Sequence, residues 1–113
     1  MNRLGSSDKA VGIAAGLAAI EAGQPANAAA LLREAAEATA PEDFPWLALA
    51  NAELALGKLD AAEAAIDRQL QIDFRDLGAL LFKALVRERQ GDVRGAGSFY
   101  QTAANQAALS GAP

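Results

Sequence analysis

A step of 34 residues runs through the chain and constrains its fold more than any other feature. Glycine recurs at this step at Gly23, Gly57 and Gly91. Two columns hold only small residues, Gly16, Ala50 and Ala84 in one and Ala28, Ala62 and Ala96 in the other. The step divides the 113 residues into three units, 9–42, 43–76 and 77–110. Self-similarity at such a period is the signature of stacked repeats.

Each unit is predicted to consist of two α-helices. Apolar residues recur at helical spacing on both sides of the central glycine, which ends the first helix because it tolerates a left-handed turn. Alanine, the strongest helix former, supplies 30 residues, and its small side chain lets helices approach closely. The predicted helices span 8–22, 25–39, 45–56, 59–73, 77–90 and 93–108. The fold class is therefore all-α, in one domain over residues 1–113.

The second unit carries the clearest family pattern. Its characteristic residues are Trp46, Leu49, Ala50, Gly57, Leu59, Ala62, Ile66, Leu70 and Asp73. With the period of 34 residues, this pattern resembles the tetratricopeptide repeat. Gly12 stands in the column of Trp46, and Phe74 replaces the usual proline between repeats. The resemblance implies a right-handed superhelix whose inner groove is lined by the first helix of each pair.

A weaker resemblance rests on one short segment. The run 91–101 is similar to the last repeat of the helical arm that precedes the catalytic domain in bacterial aspartyl/asparaginyl β-hydroxylase family proteins. The iron-binding histidines of those enzymes have no counterpart in this sequence, so the resemblance implies no activity. It leaves open the alternative that the chain is the non-catalytic arm of a larger enzyme.

Composition excludes several kinds of chemistry. The sequence contains neither Cys nor His, which excludes disulfides, Cys/His zinc sites and Ser-His or Cys-His dyads. Asp60, Glu63 and Asp67 share a helix face and are interpreted as a solvated surface in preference to a cation site. The net charge of −4 argues against nucleic acid as a partner. No enzymatic activity and no cofactor are predicted.

No membrane segment is expected, because the longest uncharged apolar stretch, 10–20, falls short of the roughly 20 residues that a spanning helix needs. An N-terminal signal sequence is a weaker interpretation of this stretch, since it is rich in Ala and Gly and is preceded by Asp8. The chain is therefore expected in the cytoplasm.

The groove implied by the resemblance is the first candidate site, with a peptide or protein segment as its ligand. Its expected lining is Ile13, Leu17, Ile20, Glu21, Phe44, Leu47, Asn51, Leu54, Ala55, Leu81, Leu85, Glu88 and Arg89. The central Asn51 is the polar exception in the middle unit. An amide both donates to and accepts from a peptide backbone, which suits an extended ligand. The alternative is that Asn51 is an ordinary solvent-exposed residue.

The last helix is the second candidate site. Its apolar residues include Phe99, Tyr100 and Ala103, and only three residues follow the third unit. Because the end units of a repeat stack need a polar cap, such an apolar stripe indicates an interface. We expect it to contact a second copy of the chain, as in a homodimer, or a downstream domain.

Overall fold

The computed structural model describes residues 6–111, with side chains from Lys9 onward, and this part of the chain is entirely helical, without strands. Its six α-helices are α1 (Ser6–Glu21), α2 (Pro25–Glu37), α3 (Trp46–Ala55), α4 (Leu59–Ile72), α5 (Leu77–Arg89) and α6 (Val93–Gly111). A 3-10 helix, Pro41–Asp43, lies between α2 and α3 and was not expected. The prediction of an all-α chain with six helices is confirmed.

The same turn closes each pair of helices. Gly23, Gly57 and Gly91 have φ angles of 74°, 75° and 86°, in the left-handed region that favours glycine. The residue after each glycine donates its backbone N–H to the carbonyl five positions back, at distances of 2.9, 2.9 and 2.8 Å. This is the Schellman arrangement, which satisfies carbonyls left free at a helix end. The period of the sequence is thus a period of backbone conformation.

Consecutive helices pack against one another along the whole chain. The closest associations are α1 with α2, α3 with α4, and α5 with α6, and smaller contacts join α2 to α3 and α4 to α5. In addition α3 touches both α1 and α5, so the first helices of the three pairs are neighbours. The molecule measures 48 × 33 × 22 Å. The first helices are therefore placed to form one continuous surface.

Small residues lie where the paired helices approach. The side chains of Ala50 and Ala84 are fully buried, and Gly16 in the same column is buried against Leu32. A Cβ atom built at Gly16 would lie 2.6 Å from Leu32 Cγ, well inside van der Waals contact. Ala62 is fully buried in the other small column. A larger side chain at these positions would force the helices apart.

The 3-10 helix is held by two aromatic residues at the start of the second unit. The indole nitrogen of Trp46 donates to the carbonyl oxygen of Pro41 at 2.7 Å. The Phe44 ring packs edge-on against Trp46, with ring centroids 4.7 Å apart. Both rings belong to the core of the molecule. They fix how the chain passes from the first helix pair to the second.

Ion pairs cross the two boundaries between units with opposite polarity. At the first boundary, Arg33 on α2 pairs with Glu53 on α3 at 2.6 Å. At the second, Asp67 on α4 pairs with Lys83 on α5 at 2.6 Å. Arg33 and Asp67 stand in the same column of the repeat, so the charge on the second helix reverses from one boundary to the next. Wrong pairing of units would bring like charges together.

Candidate binding groove

A groove of about 420 Å³ lies where α1, α3 and α5 meet. It is lined by Leu17, Ile20, Glu21, Leu47, Ala48, Asn51 and Phe82. A smaller hollow of about 190 Å³ adjoins it and is lined by Ile20, Gly23, Pro25, Asn51, Ala52 and Ala55. Asn51 belongs to both linings and is exposed. Its amide is therefore a polar group on an otherwise largely apolar wall.

Most of the residues expected in the groove reach its surface. Leu17 is 40% exposed and Leu81 is 42% exposed, which is unusual for leucine in a helical protein. The half-buried residues of the expected lining are Ile13, Ile20, Leu47 and Leu85, and the exposed ones are Glu21, Ala55, Glu88 and Arg89. A ligand would therefore meet an apolar strip that crosses the three helices.

Two residues expected to line the groove lie in the core. Phe44 is 4% exposed and Leu54 is 6% exposed. Phe44 precedes α3 and packs on Trp46, so helical spacing does not govern its direction. Leu54 lies on the part of α3 that packs into the interior. Both shape the groove from beneath, and the expectation that they contact a ligand is corrected.

Leu47 owes its position to a close approach between α3 and α5. A Cβ atom built at Gly78 would lie 3.1 Å from Leu47 Cδ1, closer than most such contacts. Gly78 therefore lets the leucine side chain settle against the α5 backbone. The half-buried Leu47 links the two helices and forms part of the groove wall.

Opposite charges stand at the two ends of the groove. Glu21 lies at the end of α1, and Arg89, in the same column of the third unit, lies at the end of α5. The Arg89 guanidinium Nη1 lies 3.5 Å from the carbonyl oxygen of Leu54, to which it donates. The column between them holds the neutral Ala55. An extended ligand would meet an acidic side chain at α1 and a basic one at α5.

Phe82 and Ala48 line the groove but were not among its expected residues. They share a column with Ala14, and the repeat places all three on the first helix of their unit. The signal was present in the period, because this column adjoins the columns of Leu47 and Leu81. It was hidden because its three members differ so much in size.

A network of charged side chains joins α4, α5 and α6 on the other side of the molecule. The buried Lys83 ammonium lies 2.8 Å from Glu63 Oε2, and Arg87 Nη2 lies 2.9 Å from the same oxygen. The hydrogen bond from Lys83, then that from Gln90, and the positive charges nearby lower the pKa of Glu63, against the opposing effect of burial. Glu63 and Asp67 therefore face the cations of α5, and their carboxylates are occupied by the chain itself.

The last helix presents part of its expected interface. Tyr100 is 40% exposed, and its hydroxyl donates to Glu88 Oε1 at 3.1 Å, a bond that raises the pKa of the phenol. Phe99 is half-buried, with its ring centroid 5.8 Å from the Lys83 ammonium. Ala103 is 1% exposed and packs inward, which corrects its assignment to an interface. The contact of Phe99 and Tyr100 with a second copy or a downstream domain stays a prediction.

Within residues 6–111, no three Asp or Glu side chains come close enough to hold a metal ion. Over the same residues, no helix combines the length and hydropathy that crossing a membrane requires.

No protein-family model matches the sequence, and no curated protein matches it significantly.

Proposed function

We propose that the chain is a non-catalytic binding module of the tetratricopeptide type. In this proposal three helix pairs stack as a right-handed solenoid, and the groove of α1, α3 and α5 takes an extended segment of a partner protein. The 34-residue period, the three identical helix-ending turns and the adjacency of the three first helices support this arrangement.

The exposed apolar strip carries the functional part of the proposal. Leu17 and Leu81 each leave about two-fifths of their surface uncovered on either side of the exposed Asn51 amide. Apolar side chains of a ligand would cover the leucines, and its backbone would exchange hydrogen bonds with the amide. The charges of Glu21 and Arg89 favour a segment with a cationic side chain near α1 and an anionic one near α5.

A selection from a library of displayed random peptides tests this proposal. Selected peptides are expected to contain spaced apolar residues with a basic residue on one side and an acidic residue on the other. Leu81→Glu is expected to weaken binding of the selected peptides at least tenfold, because it places a charge in the apolar strip. Asn51→Ala is expected to weaken it by a smaller factor.

Matched controls separate the groove from the rest of the surface. Leu109→Glu changes an exposed leucine on α6, and Asn105→Ala changes an exposed amide on the same helix. Both are expected to leave affinity unchanged, with circular dichroism confirming that every variant is folded. If Leu81→Glu binds the selected peptides as tightly as Leu109→Glu does, the groove is not the binding site.

A further inference from the structure

A second cavity lies on the other side of α3 from the groove. It has a volume of about 310 Å³ and is lined by Arg33, Trp46, Leu49, Glu53, Ala61, Ala64, Ala65 and Arg68. Glu53 follows Asn51 by two positions, so their side chains leave the helix about 200° apart. The cavity is therefore separate from the groove, and an inference about it does not rest on the proposed function.

The cavity exists because of a difference between the units. In the third unit, the columns of Leu49 and Ala65 hold Lys83 and Phe99, which lie against each other. Their larger side chains fill the space between the helices there. In the second unit the smaller Ala65, with Ala61 and Ala64 on the same helix, leaves that space open.

Glu53 brings an unsatisfied polar atom to this cavity. The residue is 2% exposed, and its Oε2 accepts hydrogen bonds from Arg33 Nε at 2.9 Å and from Arg33 Nη2 at 2.6 Å. Its second oxygen, Oε1, has no hydrogen-bond partner in the described part of the chain. A buried acceptor left in this state costs about 1–3 kcal/mol, so a ligand that donates to it gains affinity.

Positive charge exceeds negative charge at the cavity. Arg33 is committed to Glu53 through two of its nitrogens, which leaves Nη1 outside that pair. The Arg68 guanidinium stacks 4.7 Å from the centroid of a Trp46 ring and forms no ion pair with the described residues. Two guanidinium groups and one carboxylate leave one positive charge uncompensated. This excess favours an anionic ligand, and the planar guanidinium is well suited to a carboxylate.

We propose that this cavity binds an apolar carboxylate that also carries an N–H donor. The carboxylate pairs with Arg68 and with the free edge of Arg33, the N–H donates to Glu53 Oε1, and the apolar body packs on Leu49 and Ala64. Binding requires a small shift of the arginine side chains, because Oε1 is covered in the free molecule. Arg33 is free to make such a shift, since its side chain is 47% exposed.

This chemistry is shared by N-acylated amino acids and by the last residue of a peptide. The probes are N-acetyl-leucine and a short peptide ending in leucine, each compared with its C-terminal amide. An ester analogue of N-acetyl-leucine, with oxygen in place of the N–H, tests the bond to Glu53. Trp46 is the only tryptophan of the chain and lines the cavity, so its fluorescence reports binding, with calorimetry as an independent measurement.

The acids are expected to change the fluorescence saturably, and the amides and the ester to bind at least tenfold more weakly. Arg68→Gln is expected to weaken acid binding at least tenfold, and Ala64→Leu is expected to abolish it by filling the cavity. Arg75→Gln and Ala30→Leu are matched controls at exposed positions outside the lining, and they should bind as the parent chain does.

Binding of both acids supports the shared chemistry, and binding of the peptide alone restricts the source to chain termini. The proposal is overturned if neither acid binds by fluorescence or calorimetry at millimolar concentration. It is also overturned if Arg68→Gln and Ala64→Leu bind the acids unchanged, or if the amides bind as tightly as the acids.

Discussion

Replacing Gly16 by Ala is expected to destabilise the chain relative to the same substitution at Gly12. Both glycines lie inside α1, one helical turn apart. Removing glycine from a helix interior stabilises by about 1 kcal/mol, and this gain is common to both positions. The difference between the two variants therefore isolates the packing of α1 on α2.

The structure sets the size of that difference. At Gly16 a new Cβ would lie 2.6 Å from Leu32 Cγ and 2.7 Å from Leu32 Cδ2, and Leu32 is fully buried, with no open space to move into. Overpacking of this kind costs about 1–3 kcal/mol. At Gly12 the nearest atom is Ala35 Cβ at 3.5 Å, an ordinary van der Waals contact. Gly12→Ala should thus stabilise by about 1 kcal/mol, and Gly16→Ala should be about 1–3 kcal/mol less stable than Gly12→Ala.

Thermal and urea unfolding followed by circular dichroism measure both variants. A difference of 1–3 kcal/mol corresponds to roughly 4 °C per kcal/mol in the midpoint temperature of a domain of this size. If Gly16→Ala is stabilised as much as Gly12→Ala is, α1 and α2 do not pack closely at Gly16 and the reasoning is refuted.

Three further predictions concern the interior and its charges. Ala62→Leu should destabilise by about 1–3 kcal/mol in thermal melts, whereas Ala64→Leu at an exposed position should be near neutral; equal effects would place the wrong face of α4 in the core. Because Lys83 lowers the folded pKa of Glu63, its ion pair stabilises fully above the usual pKa of about 4.5 and is lost as the pH falls through the lowered value. Urea unfolding between pH 2 and 7 should therefore show a weaker pH dependence for Glu63→Gln than for the parent chain, and an unchanged dependence would contradict the assignment. Arg33→Ala should cost about 1–3 kcal/mol by leaving a buried carboxylate unpaired, and a neutral effect in the same assay would show that the carboxylate finds water instead.

The sequence predicted the helices well because the same local signals occur three times. Gly23, Gly57 and Gly91 each end a helix by the same turn, and a signal repeated in register is hard to mistake. The small columns were predicted for the same reason. The 3-10 helix lies outside this logic, since the contacts of Phe44 and Trp46 that hold it occur once in the chain.

The charged side chains between units were harder to predict. Glu53 would ordinarily be placed on a surface, and only the arginine brought to it by the α2–α3 packing explains its burial. Lys83 stands in the column of Leu49, so the period alone gives no reason for a charge there. Paired columns do contain a clue, because Arg33 becomes Asp67 at the same step at which Glu53 becomes Arg87. Such coupled reversal indicates contact across a boundary.

The most direct test of the groove proposal is a map of amide chemical-shift changes as a peptide selected from the displayed library is titrated into the isotopically labelled chain. The largest changes are predicted on α1, α3 and α5, centred on Asn51 and extending to Leu17 and Leu81. Changes centred on α2, α4 and α6 would contradict the proposal that the first helices of the three units form the binding surface.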